Sequence, residues 1–145
     1  MKGFRNFITE IFDRSYPPAK YVKKIKEHDH EVRLFEFWVG PIRYQVKLII
    51  QHEEHYAALS FQSSSNGGQS WSGFELSGDG QSTLEVFQRV ADVAKNFLIS
   101  NHGYEIRFSS DHRRANFYEK RFAPLIGPYV GVEKTQYSTL FRVSM

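Results

Sequence analysis

The sequence predicts an α+β protein with a mostly antiparallel, mixed sheet flanked by helices. Three observations carry that expectation. Ile42-Arg43-Tyr44-Gln45-Val46-Lys47-Leu48 alternates apolar and polar residues, as a half-buried strand must when successive side chains point to opposite faces. The connections on either side of it, Gly40-Pro41 and Gln51-His52-Glu53-Glu54, are too short for anything but antiparallel neighbours. Val86, Phe87, Val90, Ala94, Phe97 and Leu98 recur at three- and four-residue spacing, which puts them on one face of a helix.

A length of 145 residues is expected to form one domain, 1–145, with 1–30 as an N-terminal helix and basic lead-in. Hydrophobic residues at 41% and charged residues at 24% exclude a disordered chain. Aromatics reach 16%, so rings should fill much of the core. There is no cysteine, which excludes disulfides, thiolate metal sites and cysteine nucleophiles and fits a reducing compartment. No apolar stretch approaches the roughly 18–20 residues of a membrane span, and Met1-Lys2-Gly3-Phe4-Arg5-Asn6 lacks the apolar run of a secretory signal. The expected location is therefore cytoplasmic, with no membrane partner. The net charge of +3 is only weakly basic. The densest basic run, Lys20 to Lys26, reads as a solvated helix face or a strand lead-in ahead of a nucleic-acid patch, so nucleic acid is the least favoured partner.

The elements follow in order. Phe4, Phe7, Ile8, Ile11 and Phe12 fall at helical spacing, and Pro17-Pro18 ends that helix by removing amide donors. Strands are expected over Glu31–Val39, Ile42–Leu48 and Tyr56–Phe61. Within the first, Phe35-Glu36-Phe37-Trp38 offers an edge for pairing if it is uncovered. Ser63 to Ser72 is polar and glycine-rich, an exposed and mobile loop. Gly73-Phe74-Glu75-Leu76 is strand-like. Ser82-Thr83-Leu84-Glu85 reads as a capping box opening the long helix, which His102-Gly103 ends. A strand Glu105–Phe108, a helix Asp111–Phe122 and a closing strand Gln136–Val143 complete the chain. The passage from Tyr56 to Phe108 suits a parallel right-handed crossover.

Chemistry enters at Gly78-Asp79-Gly80, between the strand-like piece and the long helix. Amides of a first helical turn lack internal partners and favour negative charge, and glycines allow close backbone approach. The run is either a phosphate-binding loop or a plain glycine turn, and Asp79 would repel an inward phosphate. Further on stands Ala115-Asn116-Phe117-Tyr118-Glu119-Lys120-Arg121-Phe122. Together with Glu75-Leu76-Ser77-Gly78-Asp79-Gly80, this resembles the GNAT acetyltransferase superfamily. Its members carry Gln/Arg-x-x-Gly-x-Gly/Ala before the central helix and often Asn-x-x-Ala-x-x-Phe/Leu-Tyr-x-Lys-x-Gly-Phe later. Glu75 replaces the usual Gln or Arg, and Arg121 the usual glycine. The resemblance spans about Val32 to Val143. The segment from Gly78 through Tyr118 is also similar to small phage-encoded proteins with a GNAT-like pattern.

The resemblance implies a GNAT-like domain using acetyl-CoA or another acyl-CoA, with an amine acceptor. Gly78, Asp79, Gly80, Gln81 and Ser82 would take the pyrophosphate, and Asn116 belongs to the same cofactor-binding set. A splay between the third strand and the Glu105–Phe108 strand would admit the pantetheine arm. Tyr118 matches the tyrosine that protonates the thiolate leaving group; a phenol with a pKa near 10 suits that role, and a core tyrosine is the alternative. Glu54, Glu36 and His55 are candidates by type for the general base, with Glu54 taken forward. His28-Asp29-His30 and His52-Glu53-Glu54-His55 contain ligand-type residues but lack the three or four convergent ligands of a metal site, so no metal is assigned. Arg113 and Arg114 open a helix against its dipole, which hints at an anionic partner, with plain solvent exposure as the alternative. The functional expectation is an N-acyltransferase; the alternative is a non-catalytic GNAT-like protein, in the phage case acting in the host cell by binding a host protein.

Overall fold

The computed structural model describes residues 16–73 and 80–145, with side chains in the long helix from Thr83 onward. The expected Phe4–Phe12 helix, most of the strand-like piece at 73–76, and Gly78 and Asp79 lie outside the described residues.

Alternation dictates the sheet. Strands β1 (Lys20–Lys26), β2 (Glu31–Val39), β3 (Ile42–Gln51) and β4 (Tyr56–Ser64) form an antiparallel meander. The two-residue β5 (Ser72–Gly73) pairs with the end of β4. Helix α1 (Gly80–Ser100) then crosses over to β6 (Glu105–Ser110), which pairs with β4 in parallel. A broken helical stretch leads to the hairpin β7 (Tyr129–Lys134) and β8 (Thr139–Ser144). The order across the sheet is β1-β2-β3-β4-β6-β8-β7, mostly antiparallel and not closed.

One face of the sheet makes the core. Tyr44, Val46, Leu48 and Ile50 of β3 are buried at alternate positions, and their cross-strand partners Phe37, Phe35, Phe61, Leu59 and Ala57 continue the layer. Ile106 and Phe108 of β6 and Phe141 and Val143 of β8 extend it. Helix α1 lays Val86, Phe87, Val90, Ala91, Ala94, Phe97 and Leu98 onto this face. The opposite face belongs to another set: Ile25, Val32, Leu34, Ile49 and Ala58 are not part of the core cluster.

Several expectations need correction. Lys20–Lys26 is neither a helix face nor a mere lead-in but a complete edge strand, exposed along its length and bulged between Tyr21 and Lys23. It pairs with Phe35 and Glu36, so only Phe37 and Trp38 of the expected open edge lie beyond its ladder. Helix α1 opens at Gly80, so Ser82 lies inside it and not at a cap; Glu85 instead pairs with Arg89 at 3.1 Å. Of the loop expected over Ser63–Ser72, Ser63 and Ser64 belong to β4 and Ser72 to β5, and between them the Asn66 side chain bonds Ser64 at 2.8 Å and Ser70 at 2.7 Å. The strand β7 was not expected.

The helix expected over Asp111–Phe122 is shorter at its start and runs on past its expected end. It comprises α2 (Ala115–Phe117), a π-helical turn (Tyr118–Phe122) and α3 (Ala123–Ile126). Pro124 accounts for the widened turn, because its ring collides with the carbonyl four residues back and it has no amide to donate. The wider register lets the Ala123 amide donate to the Tyr118 carbonyl instead.

A wedge between two parallel strands

Strands β4 and β6 pair only over Tyr56–Ala58 and Glu105–Arg107, then part. β4 regains a neighbour on that side at Gln62, where β5 joins. Leu59, Ser60 and Phe61 are thus paired on the β3 side alone, and Phe108, Ser109 and Ser110 on the β8 side alone. Strand edges of this kind leave backbone donors and acceptors facing the gap, where a ligand amide can pair with them. The gap is a pocket of about 280 Å³ lined by those six residues with Asp111, Arg114, Tyr118 and Phe122.

The π turn aims Tyr118 into this wedge. The side chain is 7% exposed, and its ring packs against Phe87, Phe108 and Phe122 at 5.8, 5.9 and 5.6 Å. Burial raises the phenol above its ordinary pKa, and the Asp111 charge adds to this; a hydrogen bond and the charge from Arg114 oppose it. The group is therefore a proton donor across the neutral range. Asp111 also accepts the Arg114 backbone N–H at 2.9 Å, closing the turn that precedes α2. Arg114 is thereby engaged with Asp111 and Tyr118, which satisfies a cation whose place at a helix start looked unfavourable from the sequence.

The remaining candidates lie elsewhere. Glu54 lines a different cavity with His55, His102 and Tyr104, at the end where β4 and β6 begin. It does not line the wedge, so the acid and the base named from sequence do not share a pocket. Asn116 is exposed on α2 and is not among the lining residues. Gly80 is the first residue of α1, and Gln81 and Ser82 follow in its first turn; Gly78 and Asp79 are outside the described residues. Glu36 is tied to Arg43, and His55 packs edge-on against Tyr104 at 5.2 Å. Arg89 does not reach outward either: its Nη1 donates to the Trp38 carbonyl and to Glu85, and the guanidinium covers Phe37 at 4.4 Å.

His28-Asp29-His30 and the first half of the second motif, His52-Glu53, come together where the β1–β2 and β3–β4 turns meet around a cavity of about 350 Å³. Among the described residues, no group of three or more histidines and carboxylates has metal-holding geometry. His52 Nε2 lies 3.7 Å from Glu31, whose other partners are Arg33 and Lys24. Burial alone would raise this carboxylate, but the hydrogen bond and charge of Arg33 and the charge of Lys24 hold it below its ordinary value of 4.5. A lowered folded pKa contributes stability above 4.5 that is lost as pH falls through it. Urea midpoints measured from neutral pH down to about 3 should therefore fall less steeply in Glu31→Gln than in the wild type. Equal slopes would deny Glu31 this role.

No family model, curated protein or solved structure matches the chain. No helix among the described residues is long and apolar enough to cross a membrane. Sequence reasoning missed Asp111, Arg114 and the serines of the wedge as pocket residues. The four-residue spacing from Arg114 to Tyr118 was the available signal, since it puts both side chains on one helix face.

Proposed function

We propose that this chain is a GNAT-like, acyl-CoA-dependent N-acyltransferase. The observation that carries the reading is the open wedge between β4 and β6 with Tyr118 in its lining. An acyl-pantetheine arm carries amides that suit the unpaired edges at Leu59–Phe61 and Phe108–Ser110. The acceptor amine attacks the thioester carbonyl, a C–N bond forms, and the C–S bond breaks. Tyr118 gives its proton to the departing sulfur. Asp111, the carboxylate that lines the same pocket, takes the proton of the amine in this reading, and Glu54, which lines another cavity, does not. The pyrophosphate falls to the Gly78–Ser82 run on the strength of the motif alone. Acetyl-CoA at about a hundredfold over its Kd should raise the Tm by about 5–10 °C, and Gly78→Glu should abolish the shift. Absence of any shift at millimolar acetyl-CoA retires the reading.

The second reading is a non-catalytic GNAT-like protein that acts by binding another protein. The separation of Glu54 from Tyr118 favours it, since an acid without its expected base is what a domain without turnover can tolerate.

A further inference from the structure

The face of the sheet turned away from α1 carries a continuous apolar row. Cross-strand partners run Ile25, Val32, Ile49 and Ala58 over β1 to β4, then Arg107 and Arg142 on β6 and β8. Three strand spacings make the apolar part about 14 Å long, close to three helical turns. In the next row Leu34 lies between Lys23 and Lys47. Ile25 is 36% exposed, Val32, Ile49 and Ala58 are half-buried, and none of these joins the core cluster. Charge around the row is one-sided. Of the carboxylates along the strands of this face, Glu36 is paired with Arg43 and Glu105 with Arg107, and Glu133 stands apart on the outer strand β7, three strands from Ala58. Among the described residues, Lys20, Lys23, Lys47 and Arg142 have no carboxylate partner.

We infer that this face, centred on Val32 and Ile49, backed by the 8% exposed Leu34 and rimmed by Lys23, Lys47 and Arg142, is a docking surface for an acidic amphipathic helix of another protein. The inference does not depend on the transferase reading, because none of these residues lines the wedge. A second copy of the chain would set like charges against each other. A single-stranded nucleic acid needs free rings for stacking, but Arg107 covers Tyr56 at 3.8 Å, Arg43 lies over Trp38 at 5.9 Å, and the exposed Tyr129 stands on β7, three strands from Ala58. The chain's own first residues, with Lys2, Arg5 and Arg14 against Glu10 and Asp13, are not acidic.

The test titrates the full-length ¹⁵N-labelled protein with a lactam-bridged helical peptide of about 15 residues, leucines on one face and glutamates on the other. The expected result is shifts of the Val32, Leu34, Lys47, Ile49 and Ala58 amides, with affinity at least about tenfold above that of the same peptide carrying lysine for glutamate. Ile49→Asp should weaken binding about tenfold or more, and Lys47→Glu, at a surface position that keeps the fold, should weaken it in the same direction. Equal affinity for both peptides, shifts confined to other residues, tighter binding of a thymidine oligonucleotide to the same amides, or self-association in sedimentation that Ile49→Asp abolishes would each overturn the inference.

Discussion

Phe122→Ala is expected to lower the free energy of unfolding by about 3–5 kcal/mol, which is a large share of the 5–15 kcal/mol that holds a typical domain together. The ring is 1% exposed and joins three elements. It lies 5.2 Å from Phe87 of α1, 5.2 Å from Phe108 of β6 and 6.4 Å from Phe61 of β4. Because β4 and β6 have already parted at this level, side chains must span the gap that ladder hydrogen bonds no longer close. Truncation at this point leaves a cavity that neither diverging strand can collapse into. Phe117→Ala is the control: that ring touches Phe87 at 5.0 Å but is 38% exposed, so its loss should cost about 1 kcal/mol. Urea unfolding of both variants decides the matter. If the two costs are equal, the aromatic cluster does not hold the wedge open.

How much of this was legible in the sequence depended on whether an element had a buried side. Ile42–Leu48 of β3 alternates because one face meets α1 while the other carries the polar Arg43, Gln45 and Lys47, and the reading of that segment followed. α1 was legible for the same reason: Val86, Phe87 and Val90 all turn to the sheet. The edge strands gave no such signal. β1 is exposed at every position and bulged, so nothing forces its residues to alternate. β7 is nearly as exposed, holds Gly131, and ends in Glu133-Lys134, residues that strands seldom favour. The second helix was blurred by Pro124, a residue that stops one helical register and starts another. The site divides along the same line. Tyr118 was found through its motif and Asp111 lay in plain view, but the wedge exists only because β4 and β6 stop pairing after Ala58 and Arg107. That is a tertiary event with no local signature. Glu54 illustrates the cost: beside a strand in sequence, it lies at the end of β4 away from the phenol.

Tyr118→Phe should lower acyl transfer by about 10²–10⁴-fold while leaving the acetyl-CoA-induced rise in Tm in place. The substitution keeps the ring that packs on Phe87, Phe108 and Phe122 and removes only the hydroxyl, a loss of about 1 kcal/mol in stability. A thiolate leaving group of ordinary pKa, near 8.5, departs without help only in part, so the lower end of the range is the more natural outcome. The chain contains no cysteine, so a thiol reagent reports released CoA without background from the protein. The pH profile separates chemistry from packing. An acid must hold its proton, and burial moves the Tyr118 phenol above 10.0, so activity in the wild type should persist to alkaline pH before falling. Arg114→Ala removes the cation that favours the phenolate and should carry that fall to still higher pH, whereas a merely structural Arg114 would leave the profile where it was. If Tyr118→Phe turns over acetyl-CoA at the wild-type rate, the phenol is a core residue and the wedge has some other use.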